Sequence, residues 1–140
     1  MANRDYILRL IEQAAAALRQ ALNRLRKKED RGSITQDLRD ATHRGGLDFD
    51  LLRLFDGPTL VQTVAPGGVP EPGRTWLAAE TLFLDAQAAE ADGKTSEARV
   101  TYAKALMLYR LLEPTWVLPT GFPEAEDRIA NIEARLQALG

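Results

Sequence analysis

The chain has 140 residues, 45% of them hydrophobic and 27% charged, with a formal net charge of −2. These values fit one globular domain that can bury a core of its own, and they exclude a disordered segment. Cysteine is absent, which removes disulfides and thiolate chemistry, and no global basic excess points to nucleic acid.

From Arg4 to about Lys28 the spacing predicts one long helix. Ile7, Ile11, Ala14, Leu18, Ala21 and Leu25 recur at steps of three and four, which places them on one face. Leu8, Ala15 and Leu22 form a second row beside it. Asn3 is the expected N-cap. The charged residues Arg4, Asp5, Arg9 and Glu12 interrupt the apolar pattern, so this segment reads as part of the fold and not as a signal peptide. The region is basic, with Arg9, Arg19, Arg24, Arg26, Lys27 and Lys28, whereas the last helix carries Glu124, Glu126, Asp127 and Glu133.

Gly32 breaks the first pattern. Ser33, with Gln36 three residues on, predicts a capping box for a second helix. Gly45 and Gly46 stop it. Asp48 caps a short helix holding Leu51 and Leu52, which Gly57 and Pro58 end, and Thr59–Val64 is one further turn. The run 65–73, with three prolines and three glycines, reads as a loop.

A second hairpin follows over 74–113. Its first helix spans Thr75–Asp92, Gly93 and Lys94 turn the chain, and Thr95 or Ser96 caps a helix that runs to Glu113 before Pro114. Trp116, Val117 and Leu118 anchor the next loop. Pro123 opens a final helix over 123–139, with Ile129, Ile132, Leu136 and Leu139 on its apolar seam. The expected fold is a single all-α domain of antiparallel helix hairpins: N-terminal helices over 4–64, the loop, the hairpin and a C-terminal capping helix. No apolar run approaches the ~18 residues of a membrane span, and the expected compartment is the cytoplasm.

Ala86, Gly93, Ala98, Tyr102 and Ala105 fall at separations that resemble a single tetratricopeptide repeat. Asp85 and Ala89 depart from that pattern. Over about residues 4–112 the chain also resembles a bacterial helical family of unknown function. The likeness lies in the opening Asp5-Tyr6-Ile7-Leu8-Arg9-Leu10-Ile11-Glu12 and in Leu47-Asp48 with Leu51-Leu52. The resemblance implies a tetratricopeptide-like hairpin closed by a capping helix, and it transfers no catalytic residues.

Glu80, Gln87 and Glu90 share roughly one helix face with Phe83 nearby, which makes an acidic peptide groove one reading and a solvated helix face the other. Ile7, Ile11, Leu18, Leu22 and Leu25 form a stripe wider than one short partner helix covers, a candidate interface for a homodimer or another protein. His43, the only histidine, stands at a helix end where it complements the last carbonyls. With no cysteine and no ligand spacing, no metal site or cofactor is expected. Trp76 and Trp116 are read as pins for the flanking loops. The expected function is a noncatalytic helical interaction module that self-associates. The alternatives are an enzyme built on carboxylates such as Asp85, Glu90 or Asp92, and a weak nucleic-acid binder using Arg24, Lys28 and Arg31 at the basic end of the first helix.

Overall fold

The computed structural model describes residues 2–113, 116, 119 and 121–140. Among them are seven helices and no strand: α1 (Ala2–Arg26), α2 (Arg31–Arg44), α3 (Phe49–Leu54), α4 (Gly57–Val64), α5 (Pro72–Ala91), α6 (Thr95–Tyr109) and α7 (Ala125–Leu139). The fold is all-α.

Acidic caps start four of these helices. Asp30, Asp48, Asp56 and Glu71 accept backbone N–H groups of Ser33, Leu51, Thr59 and Arg74 at 2.9, 3.0, 2.9 and 2.7 Å. Each takes up a donor that the first turn leaves unpaired, with the charge at the positive end of the helix dipole. Several expected boundaries move as a result. Asp30, not Ser33, caps α2, and Ser33 Oγ is bonded to Asp30 instead. Gly57 and Pro58 begin α4 where they were expected to end α3, because Pro58 lies in the first turn, which needs no N–H from it. Pro72 and Gly73 likewise belong to α5, so the loop is shorter than 65–73. Lys94 is the cap residue of α6 and no side chain caps that helix, which ends at Tyr109, short of Glu113. α7 begins at Ala125, after Pro123. α1 already includes Ala2, so Asn3 stands inside its first turn. The expected roles of Pro114, Val117 and Leu118 fall outside the described residues.

α5 is the centre of the molecule. Nearly every residue from Thr75 to Ala89 is buried, whereas the other helices bury one face each. The neighbours can be ordered around it from their contacts. A Cβ on Gly73, at the start of α5, would stand 2.8 Å from Ile11. Leu25 lines one hollow with Ala88 and Ala91 near its end. α1 therefore runs parallel to α5. α2 runs antiparallel, since Arg31 approaches Asp85 and a Cβ on Gly45 would collide with Leu77. α3 and α4 follow, with Arg53 on Asp85 and Gly57 against Met107 of α6. α6 is antiparallel, Tyr102 meeting Glu90 and Tyr109 meeting Glu80. α7 is parallel again, with Arg128 on Glu80 and Arg135 on Glu90.

These neighbours form a ring around α5 that is open between α7 and α1. At the end where α5 starts, aromatic side chains fill the opening. Trp76 is fully buried, with its ring centroid 6.3 Å from Trp116 and 5.0 Å from Phe122. The Arg19 guanidinium stands 5.3 Å from the Phe122 ring centroid. Trp76 thus packs against Trp116 and Phe122 where α5 begins.

Candidate functional site: the groove between α1 and α7

At the other end of α5 the opening is unfilled. A groove of about 470 Å³ lies between Leu22, Leu25 and Arg26 of α1 and Arg135 of α7, with Gln87, Glu90 and Ala91 of α5 as its floor. It adjoins a hollow of about 550 Å³ that shares Leu25 and Ala91 and extends to Arg31 and Ile34 of α2. The combined surface is mixed: Leu22, Leu25, Ile34, Ala88 and Ala91 supply its apolar part, and Arg26, Glu29, Arg31, Glu90 and Arg135 its charges.

The sequence-predicted groove residues divide here. Gln87 and Glu90 are half-buried at the open end, whereas Glu80 and Phe83 are fully buried. Glu80 and Phe83 are therefore not part of an open groove. The four do share a face of α5, but α7 lies over its first half. Arg128 donates to Glu80 through Nε at 3.1 Å and Nη2 at 2.7 Å, and its guanidinium stands 4.2 Å from the Phe83 ring centroid. Tyr109 Oη donates to the same carboxylate. Burial, and then the negative charge of Glu80, raise the Tyr109 pKa well above that of a free phenol. Burial pulls the Arg128 pKa down, but attraction to Glu80, the hydrogen bonds to it and the nearby Tyr109 together outweigh burial, and the net shift is upward.

Two further carboxylates of α5 are engaged in the same way. Asp85, buried, receives Arg53 Nε at 2.9 Å and Nη2 at 2.7 Å, with Arg31 Nη2 at 3.5 Å. Glu90 accepts Tyr102 Oη at 2.7 Å and Arg135 Nη1 at 3.1 Å. Burial and the bond to Glu90 raise the Tyr102 pKa. Glu80, Asp85 and Glu90 thus tie α7, α6, α3 and α2 to the central helix. Each of the three carboxylates is thus paired with an arginine and bonded on both oxygens, which clamps one helix to the next. Asp92, exposed, lies 4.0 Å from Arg31.

The interface stripe also divides. Ile11 and Leu18 are core residues, and of the five only Ile7, Leu22 and Leu25 keep exposed surface. Ile11 and Leu18 turn inward because α1 covers α5 as well as α2, a second partner that its periodicity does not reveal. The expected basic strip on α1 is largely neutralised. Arg24 Nε bonds Asp37 at 2.6 Å and its Nη1 bonds Glu29 at 2.9 Å. Arg31 is bonded to Glu97 by both terminal nitrogens, and that bond lowers the Glu97 pKa. Of the three, Lys28 is exposed and has no ion pair among the described residues. His43 is exposed at the end of α2, and its carbonyl accepts the N–H of Gly46 at 3.1 Å. No group of metal-ligating side chains occurs among the described residues, nor is any helix there long and apolar enough to cross a membrane. No protein-family model, no curated protein and no solved structure matches the chain.

Proposed function

We propose that this protein is a noncatalytic helical interaction module that associates with protein chains, first of all with itself, in the cytoplasm. The observation that carries the reading is the open ring around α5. A buried helix is covered on all sides except one, and there Leu22, Leu25 and Ala91 meet solvent beside exposed cations. Apolar surface in a concave setting beside a buried helix is a common mark of a binding face.

Two features support the reading. The α5–α6 hairpin buries Ala86 and Ala98 completely, in keeping with the small residues at the crossing of a tetratricopeptide-like unit. α7 lies against the hairpin as a capping helix lies against the end of a repeat array. The likeness of Asp5–Glu12 to the opening helix of a bacterial family belongs to the same proposal. Engagement of Glu80, Asp85 and Glu90 by arginines favours an interaction role over carboxylate catalysis.

Light scattering during size-exclusion chromatography, over a dilution series in the micromolar range, tests the proposal. The expected result is a mass twice the 15.5 kDa of one chain, falling towards that of the monomer on dilution. A single-chain mass at every concentration would remove self-association from the reading.

A further inference from the structure

We infer that α7 is the resident occupant of a second binding face: it undocks from α5 and α6 as a unit, and the face it leaves takes a basic amphipathic helix of a different protein. This goes beyond the self-association reading.

Two helices build the covered face. Glu80, Phe83 and Glu90 come from α5, and Tyr102 and Tyr109 from α6. The ring centroids of Phe83 and Tyr102 stand 6.0 Å apart. Tyr109 donates to Glu80 and Tyr102 to Glu90. α7 supplies the complement, with Arg128 on Glu80 and over Phe83, and Arg135 on Glu90. Ile132, between them, is fully buried. Cation, apolar residue and cation thus fall at i, i+4 and i+7, on one face of a helix.

α7 holds this place with little apolar burial. Of its 15 residues only Arg128 and Ile132 are buried, against six in α6, which has the same length. Its bonds from Arg110 to Glu133 and from Arg99 to the Leu139 carbonyl are exposed, and exposed pairs contribute little. The attraction within a buried ion pair goes largely to offset its own desolvation. No side chain caps the start of α7, and an isolated helix of this length is marginal in water. Undocking returns Glu80 and Glu90 to water while each keeps its tyrosine. α7 therefore opens before the helices packed around α5.

A second copy's α7 is already seated on its own chain, and trading like for like gains no contact. A foreign helix with the same two cations and bulkier apolar residues gains over α7, whose Ile129, Leu136 and Leu139 are only half-buried.

Locking α7 in place tests the proposal. The probe is a fluorescein-labelled peptide of residues 123–140, and the control peptide carries Arg128→Glu and Arg135→Glu. The chain has no cysteine, so Arg110→Cys with Glu133→Cys gives one thiol pair at an exposed contact of α6 with α7. A short bismaleimide between the two thiols locks α7 down, and capping both with N-ethylmaleimide leaves it free. Fluorescence anisotropy should find the probe bound about ten-fold more tightly by the capped protein than by the locked one. The control peptide should bind the capped protein about ten-fold more weakly than the probe. In the wild type, amide exchange should open α7 ahead of α5 and α6. Absence of binding, equal binding by locked and capped protein, equal binding of the two peptides, or exchange of α7 only together with α5 and α6 would each overturn the proposal. A bismaleimide link formed between separate Arg110→Cys and Glu133→Cys chains would make a second copy's α7 the occupant and overturn the foreign helix.

Discussion

Arg128 holds Glu80 from 48 residues away in the chain, through two hydrogen bonds of 3.1 and 2.7 Å, on a carboxylate with no exposed surface. This pair fastens α7 over α5 and fixes the wall of the groove. Removing one partner leaves the other charged and buried. Arg128→Met should therefore cost about 3–5 kcal/mol. Replacing both, with Glu80→Leu and Arg128→Met, should recover part of that loss: no buried charge remains, but Tyr109 Oη loses its acceptor in the core. Urea melts of the three proteins measure it. A double variant less stable than Arg128→Met would mean that the ion pair does more than satisfy its own charges.

The crossing of α5 and α6 gives a second expectation. Ala98 has no exposed surface, so Ala98→Leu should overpack the crossing and destabilise by about 1–3 kcal/mol. Ala88 would be a poor control, because it too is buried at 3% exposure. Ala103 is exposed on α6, and Ala103→Leu should be nearly neutral, the helix propensities of the two residues being similar. Equal urea midpoints for the two variants would mean that the crossing accommodates a larger side chain without strain.

Acid should weaken the fold through its caps. The Asp30 pKa is lowered by the backbone N–H and then the hydroxyl of Ser33, and that of Asp56 by the hydroxyl and then the N–H of Thr59. A carboxyl whose pKa is lower folded than unfolded contributes stability above its unfolded value, near 3.8. That contribution is lost as pH falls through the folded value. Thermal midpoints between about pH 7 and pH 3 should therefore drop less for Asp30→Asn than for the wild type, because asparagine caps without titrating. An identical drop would assign the acid sensitivity to other carboxylates.

The long helices and the α5–α6 turn were legible because apolar spacing and glycine report directly on local structure. α4 was not. Gly57 and Pro58 stop a helix in one context and start one in another, and the choice here depends on Asp56 as a cap. Glu80 and Glu90 were placed on one face by their spacing, but a charge on a helix is read as facing water. What turns Glu80 inward is Arg128 with Tyr109, and what engages Asp85 is Arg53, 32 residues away. Such pairings leave no local signature. The inward turn of Ile11 and Leu18 was hidden for the same reason, since a stripe shows how much of a helix is covered but not by how many neighbours.

If another chain sits on the face between α1 and α7, association must shield it. Amide hydrogen exchange, compared at concentrations where the protein is associated and where it is dissociated, tests this directly. Added protection on association is expected in the second half of α1, around Leu22–Arg26, and at the end of α5, around Gln87–Ala91. The α3–α4 region, on the far side of the ring, should be unchanged. Protection confined to α3 and α4, with none in α1 or at the end of α5, would contradict it.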